Sequence, residues 1–186
     1  MREVCRTLGI TGDAAIDKYL NNHWKANARG VDINRNFDAR WNEHYDGVGR
    51  PWTKNYKGPS ARSEPETAGL VALTESLSNP VASVCVHSQG EIIYWRCLQE
   101  GALEIQNQRL AEVAARVTGY GIIDENQTEP SFSNWTILAH GIPTITVETG
   151  LGGYPQNHAE MAGAILDDIR DLFAVLALEY GNFAKG

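Results

Sequence analysis

The chain has 186 residues, of which 42% are hydrophobic and 21% charged, with a formal net charge of −7. This size and composition predict a single domain over residues 1–186 with a sizeable core. The negative charge, with no run of Lys or Arg longer than a pair, argues against nucleic acid or an anionic membrane as the main partner. No apolar stretch is long enough to span a membrane, and no signal peptide is recognisable at the N-terminus, so the cellular location stays open.

Cysteine usage excludes two common architectures. Cys5, Cys85 and Cys97 are an odd set without metal-type spacing, so neither a disulfide framework nor a cysteine zinc site is expected. Cys85 lies in an apolar run and is predicted to be buried and unreactive, because free cysteine behaves as a small hydrophobic residue.

The first third of the chain centres on residues 29–37. Asp13 to Leu20 predicts one or two helical turns, and residues 23–27 predict a loop. Apolar residues at 31, 33 and 37 alternate in a way that indicates a short strand end, from which Asn34-Arg35-Asn36 leaves. Residues 38–62, rich in Trp, Tyr, Asn, Gly and Pro, predict a long ordered loop.

A helix and a strand are predicted next. Ser63 and Glu66 predict a capping box with Pro65 in the first turn, and the leucines that follow have helical spacing up to Asn79-Pro80. Residues 81–86 are small or β-branched and predict a strand buried on both faces, which delivers His87 at its end. Residues 91–95 predict a short second strand.

The remaining elements complete an α/β pattern. Residues 102–118 predict a helix stopped by Gly119, residues 121–133 a polar loop, and residues 143–147 a buried strand that ends in Glu148. Residues 156–180 predict an amphipathic helix, with an inner stripe of Met161, Ile165, Ile169, Leu172, Leu176 and Tyr180. Strands alternating with helices indicate an α/β sandwich.

Three predicted strand ends therefore carry polar groups, namely Asn34-Arg35, His87 and Glu148. Each has an ordinary alternative: a surface ion pair for Arg35, a satisfied buried histidine for His87, and a paired or capping carboxylate for Glu148. Together they suit metal-assisted hydrolysis, because His is a zinc ligand and a carboxylate beside the metal can take the proton of its water. A guanidinium can hold an anionic substrate end through two parallel N–H donors.

These residues resemble a known family. Gly-Val-Asp-Ile-Asn-Arg-Asn-Phe at 30–37 is similar to the signature of the zinc metallocarboxypeptidases of the carboxypeptidase A type. The helix start at 63–67, Val86-His87-Ser88 and Thr146-Val147-Glu148 follow in the family's order. Residues 24–30 and 63–67 resemble its bacterial branch, which includes peptidases that cut the γ-D-glutamyl–diaminopimelate bond of cell-wall peptides.

The resemblance implies a fold and a role for individual residues. The fold is a three-layer α/β sandwich with a mixed, mostly parallel sheet, and the cofactor is one zinc ion. Asn34 and Arg35 match the pair that binds the free carboxylate of a peptide, His87 the third zinc ligand, and Glu148 the general base. Lys25 takes the place of an oxyanion-stabilising Arg. Ser133 matches the position at the base of the specificity pocket, where a small hydroxyl indicates neither an apolar nor a basic substrate side chain.

Two features of the family pattern have no match. None of the histidines at 23, 44, 87, 140 and 158 has Glu three residues later, so the His-x-x-Glu motif that supplies two zinc ligands is absent. His44 or His158 could substitute geometrically. No Tyr between Tyr120 and Tyr154 matches the family's catalytic tyrosine. The chain is therefore expected to lack the family's N-terminal strands, leaving a sheet edge open at residues 81–86 and 143–147.

The sequence leaves three functional hypotheses open. The first is the C-terminal part of a zinc-dependent peptidase, completed by residues or a second chain that supply the missing N-terminal part. The second is a non-catalytic peptide-binding remnant, and the third is a truncated, inactive product.

Overall fold

The computed structural model describes residues 1–44, 49–151 and 158–181, the last of these by backbone alone at 158–161. Its contacts divide the chain into two compact units, Met1–Ser76 with Glu129–Ser131, and Leu77–Thr128 with Phe132–Gly186. The single domain expected from composition stays a prediction.

The first unit is helical and loop-rich. Its described residues form three α-helices and two short 3-10 turns: α1 (Arg2–Thr7), α2 (Asp13–Asn22), the turns Ile33–Arg35 and Trp41–Glu43, and α3 (Pro65–Ser76). The predicted helix near residue 13 is confirmed and is longer than expected, while α1 was not predicted. Cys5 of α1 and Ile16 of α2 are both buried, so the two helices share an apolar contact that the sequence pattern of α1 does not reveal.

Residues 29–37 do not form the predicted strand. The Asp32 side chain accepts a hydrogen bond from the Asn34 backbone N–H at 3.1 Å, and the Asp32 carbonyl accepts one from the Arg35 N–H at 2.9 Å. These bonds wind Ile33–Arg35 into a 3-10 turn, because a short acidic side chain offers the backbone a local partner in place of a sheet ladder. The alternation of apolar residues at 31, 33 and 37 was misleading here.

Asn36 holds the surrounding loop together. Its side chain is fully buried, and its Nδ2 donates to the carbonyls of Lys57 and Ser60 and to the Ser63 hydroxyl, at 2.8, 3.0 and 3.0 Å. Its Oδ1 accepts from the Glu64 N–H at 3.1 Å. One amide therefore fixes the chain that leads into α3.

The start of α3 is confirmed at Pro65, but the predicted caps differ. The Ser63 hydroxyl donates to the Glu64 carboxylate at 2.8 Å and contacts Asn36, so it is committed to other partners. The buried face of α3 is Thr67, Val71 and Thr74. Of the leucines at helical spacing, Leu73 and Leu77 are more than half exposed, and Leu77 lies beyond the end of the helix.

The second unit contains a four-stranded mixed sheet. Its strands are β1 (Ser83–His87), β2 (Ile92–Tyr94), β3 (Gly121–Ile123) and β4 (Thr144–Glu148), in the spatial order β1-β4-β2-β3. The pairs β1–β4 and β2–β3 are parallel, and β2–β4 is antiparallel. The prediction of a mixed, mostly parallel sheet is confirmed.

Helices cover both faces of this sheet. Ile93, Ile145 and Val147 point to one face and pack against buried residues of α4 (Gly101–Thr118) and of the C-terminal helices. The opposite face carries Thr144, whose hydroxyl lies 2.8 Å from that of Thr136 on α5 (Phe132–His140). Since successive side chains of a strand alternate between faces, α4 and α5 lie on opposite sides, which gives three layers within this unit.

The C-terminal segment is helical, as predicted, but interrupted. It consists of α6 (His158–Ile169), α7 (Leu172–Val175) and a π-helical stretch, Leu176–Tyr180. Leu172, Leu176 and Tyr180 are buried in the core, and Ile165 and Ile169 are half-buried, which confirms that part of the inner stripe. The predicted start at Gln156 and the side chain of Met161 lie outside the described residues.

Several predictions for the second unit need correction. β1 is an edge strand with Val86 43% exposed, so it is not buried on both faces. β4 lies inside the sheet between β1 and β2, so it has neighbours on both sides. The predicted polar loop at 121–133 contains β3, and α5 begins at its end. None of the described helices is both long and apolar enough to cross a bilayer.

Candidate functional site

His87 and Glu148 are neighbours at the ends of parallel strands. In the β1–β4 ladder, His87 is the register partner of Glu148. Register partners in a parallel pair project to the same face of the sheet, and both residues are half-buried. They end their strands at the carboxyl edge of the β1–β4 pair, which is where open α/β sheets bind ligands.

The turns that follow β1 and β4 are tied to each other. The Thr149 N–H and the Thr149 hydroxyl both donate to the His87 carbonyl, at 2.8 and 2.9 Å. The Gly90 N–H donates to the Gly150 carbonyl at 2.8 Å. These bonds continue the pairing past the last residues of the strands. The two turns that follow His87 and Glu148 are therefore fixed to each other.

Arg35 belongs to the first unit and presents a half-buried guanidinium. Its Nη1 donates to the Asn34 carbonyl at 2.8 Å, and its Nε is buried without a hydrogen-bond partner in the described structure. Within the described ranges, no carboxylate forms an ion pair with Arg35. A buried donor without a partner is costly, so this guanidinium is suited to receive an anion.

Lys25 and Ser133 occupy different settings. Lys25 is exposed in the loop after α2. Ser133 is half-buried in the first turn of α5 and lines a cavity of about 20 Å³ on the polar face of the sheet, together with Tyr94, Thr144 and Thr146. That volume holds about one water molecule. In this conformation the cavity is too small for a substrate side chain, and the role of Ser133 as the base of a specificity pocket stays a prediction.

The described residues do not fit a complete zinc site. A catalytic zinc needs three protein ligands. His87 and Glu148 are two candidate groups at one place, and in the part of the chain that the structure describes no group of three or more His, Cys, Asp or Glu side chains could hold a metal. His44 belongs to no such group, and the side chain of His158 lies outside the described residues.

Cys85 lies on the same face of the sheet as His87, but its thiol keeps its proton at neutral pH. It lies two residues before His87 on β1, and burial raises the pKa of its thiol to about 11. The thiolate is the form that attacks electrophiles and binds metals. Cys85 is therefore a thiol at neutral pH, as expected of an unreactive cysteine, but it is half-buried and not buried as predicted, because it lies on the edge strand β1. All three cysteines are free.

Three supporting residues were not predicted. Asp32 winds the turn that carries Arg35, Asn36 fixes the loop after it, and Thr149 ties the strand ends. The Asp-x-Asn pattern at 32–34 is a recognisable signal for a side-chain-capped turn. For Asn36 and Thr149, whose partners are distant in sequence, no local signal exists.

The architecture of the chain is that of a carboxypeptidase-type α/β fold. It matches the crystal structure of carboxypeptidase A from Helicoverpa armigera with a TM-score of 0.70 at 19% identity, covering 85% of this chain and 44% of that one. Residues 15–162 match the family described as zinc carboxypeptidase. The chain belongs to this family, which confirms the resemblance seen in the sequence.

Two bacterial relatives are informative. The chain is 33% identical over 133 residues to gamma-D-glutamyl-L-diamino acid endopeptidase 1 of Lysinibacillus sphaericus, covering 71% of this chain and 33% of that protein. It also matches the structure of murein-tripeptide amidase MpaA from Escherichia coli O157, with a TM-score of 0.53 and 26% identity, over 87% of this chain and 60% of that one. The chain spans about a third of the length of the first curated relatives that it matches, 33% and 36%.

Proposed function

We propose that this chain is part of a peptidase that hydrolyses a peptide bond near a free carboxylate, with cell-wall peptides as the substrate class. The observation that carries this function is the pairing of His87 with Glu148 at the carboxyl ends of β1 and β4. A carboxylate at such a strand end can serve as a general base, and membership of the zinc carboxypeptidase family supports a hydrolase.

Glu148 acts as the general base in this proposal. Its carboxylate takes a proton from a water molecule as the water oxygen bonds to the peptide carbonyl carbon. When the carbon–nitrogen bond breaks, the same proton passes to the leaving amine, so the carboxylate is regenerated. His87 is the residue of this pair that would serve as a metal ligand, and the further ligands of a zinc site come from outside the described residues. A second chain could be their source.

Arg35 and Asn34 recognise the substrate carboxylate. The Arg35 guanidinium offers two parallel donors to a carboxylate, and its buried Nε lacks a hydrogen-bond partner among the described residues. Lys25 contributes a positive charge near the developing oxyanion, and Ser133 contacts the substrate side chain; both roles rest on family resemblance alone. The name of the Lysinibacillus sphaericus relative favours a γ-D-glutamyl-diamino acid peptide as substrate, and the name of MpaA favours a murein tripeptide.

The test uses L-Ala-γ-D-Glu-diaminopimelate as substrate. The chain, together with the chain or residues that supply the further zinc ligands, is incubated with this tripeptide and zinc, and cleavage is followed by mass spectrometry. Cleavage by the parent chain that disappears in Glu148→Gln supports the proposed hydrolysis. Equal cleavage by Glu148→Gln and the parent removes Glu148 from its role.

A second candidate function is carboxylate-peptide binding without catalysis. Two observations favour it. The described residues contain no group of three metal ligands, and the buried Nε of Arg35 has no hydrogen-bond partner among them. Binding of the tripeptide that is lost in Arg35→Ala, with no cleavage at any zinc concentration, identifies this function. A chain that neither binds nor cleaves the tripeptide is an inactive product.

A further inference from the structure

The first unit contains a cavity lined partly by basic side chains. The cavity has a volume of about 280 Å³ and is lined by Leu8, Ile10, Tyr19, His23, Arg50, Thr53 and Lys54. None of these residues is among those assigned above to catalysis or carboxylate recognition. Leu8 and Ile10 also precede residues 15–162, the part that matches the zinc carboxypeptidase family. The other five lining residues lie within that match, so the cavity is separate from the assigned site residues but not from the family domain.

The polar part of the lining is basic. Among the described residues, His23, Arg50 and Lys54 line the cavity and no Asp or Glu does, although the chain has 23 acidic and 16 basic residues. All three basic residues are exposed, and within the described ranges neither Arg50 nor Lys54 forms an ion pair. Basic groups that line one cavity raise the local concentration of anions.

The nearby acidic residues of α2 are already paired. Asp13 lies 3.2 Å from Arg2 of α1, and Asp17 also forms an ion pair with Arg2. These two carboxylates are satisfied by a cation that does not line the cavity. Neither carboxylate is paired with a basic residue of the cavity lining.

The lining of the cavity also contains apolar groups. Leu8 and Ile10 line it together with Tyr19, whose ring lies 5.4 Å from the His23 ring at an interplanar angle of 41°. The Tyr19 hydroxyl donates to the Trp52 carbonyl at 2.7 Å, which fixes the ring. A ligand that matches both the basic and the apolar residues of the lining needs an apolar body and an anionic end.

The loop that carries Arg50 and Lys54 is held in place. The Trp52 N–H donates to the Gly30 carbonyl and the Asp32 N–H donates to the Tyr56 carbonyl, both at 2.8 Å. Gly30 has a φ of +81°, and a Cβ there would lie 2.5 Å from the Trp52 nitrogen, so only glycine allows this approach. A loop fixed before binding loses little freedom when a ligand arrives.

We propose that this cavity binds a small organic anion, a carboxylate attached to an apolar group. Arg50 and Lys54 hold the carboxylate, and Leu8, Ile10 and the Tyr19 ring cover the apolar group. The volume is close to the lower end for small-molecule sites, about 300 Å³, and suits one ring or short aliphatic chain. Both a free acid and the C-terminal residue of a peptide have this chemistry.

Calorimetric titration of the Arg35→Ala chain tests the proposal. The Arg35→Ala variant lacks the guanidinium assigned above to the peptide carboxylate. Any binding that remains therefore belongs to the cavity, and its outcome is independent of the proposed function. The probes are phenylacetate, phenylacetamide, inorganic phosphate and the peptide Ala-Ala-Phe. We expect phenylacetate to bind at least about tenfold more tightly than neutral phenylacetamide and than phosphate, which has no apolar body.

Variants then locate the binding. Arg50→Ala with Lys54→Ala should weaken phenylacetate at least about fivefold, whereas Lys18→Ala, which removes an exposed charge of α2 outside the cavity, should change it less than about twofold. Tighter binding of Ala-Ala-Phe than of phenylacetate identifies a peptide C-terminus as the ligand, and the reverse a free acid. Equal binding of phenylacetate and phenylacetamide, phosphate as tight as phenylacetate, or no effect of the double variant overturns the proposal.

Discussion

Thr149 donates two hydrogen bonds to the carbonyl of His87, one from its backbone N–H at 2.8 Å and one from its hydroxyl at 2.9 Å. Thr149 is buried, and it directly follows Glu148. Thr149 therefore ties the chain next to the proposed general base, Glu148, to the backbone of the proposed metal ligand, His87. This link explains how two strand ends far apart in sequence are kept in register.

Loss of the Thr149 hydroxyl should weaken this anchor. Thr149→Val keeps the shape of the side chain but removes one buried hydrogen bond, which should lower the free energy of unfolding by about 1 kcal/mol. Thr149→Ser keeps the hydroxyl and should be the milder change. Urea denaturation followed by circular dichroism measures both, and a Ser variant less stable than the Val variant would contradict the assigned role.

Asn36 should be among the most sensitive polar positions of the first unit. Asn36→Ala leaves the Glu64 N–H without its acceptor and removes one of the two donors to each of the Lys57 and Ser60 carbonyls. We expect the loss of this buried amide to cost about 2–4 kcal/mol. Asn42→Ala, which removes an exposed amide from the Trp41–Glu43 turn, is the matched control and should cost less than about 0.5 kcal/mol. Thermal or urea unfolding that shows equal losses for the two variants would refute the function of Asn36 as the centre of this loop.

Carboxylate recognition should depend on Arg35. Arg35→Ala should weaken binding of L-Ala-γ-D-Glu-diaminopimelate at least about tenfold, because charged hydrogen bonds contribute about 1.5–3 kcal/mol. Arg35→Lys should recover only part of this affinity, since an ammonium lacks the two parallel donors. Calorimetry measures these affinities, with the C-terminally amidated peptide as the comparison. Unchanged binding in Arg35→Ala would remove Arg35 from this role.

Cys85 predicts a loss of stability in alkali. Burial raises the pKa of its thiol to about 11, so the folded chain keeps the proton to a higher pH than the unfolded chain, whose thiol has the ordinary pKa of 9.0. Its contribution to stability is complete below the unfolded pKa and is lost as the pH rises from about 9 to 11, by at most about 2–3 kcal/mol. Cys85→Ala should lack this component. Urea denaturation at several pH values measures the difference, and parallel curves for the two chains would contradict it.

The sequence predicts the second unit better than the first. β1, β2, β4 and α4 were recognised because apolar runs and the Gly119 stop are local signals. α5 was missed since it buries Asn134 and Thr136 as well as Trp135, so its inward face does not have the apolar period of a core helix. In α3 the leucines suggested a face that the structure leaves largely exposed, while Thr67 and Thr74 are buried.

The features of the candidate site also differ in how far local sequence patterns predict them. His87 and Glu148 could be expected near one sheet edge because both follow apolar strands, but their register is a matter of long-range pairing that no local pattern encodes. The alternation around Ile33 suggested a strand because the capping bond of Asp32 is invisible to a period-two pattern. The lining of the basic cavity comes from three separate segments, and only the folded chain brings them together.

The most direct measurement compares hydrolysis of L-Ala-γ-D-Glu-diaminopimelate by the complete peptidase proposed above, in which further zinc ligands join this chain, and by its Glu148→Gln variant, each supplied with zinc. Gln is nearly isosteric with Glu but cannot accept the proton of water, so the account predicts that kcat/KM falls by at least about 10²-fold, with unchanged peptide affinity and an unchanged unfolding curve. Hydrolysis by Glu148→Gln at the rate of the parent chain would contradict the account.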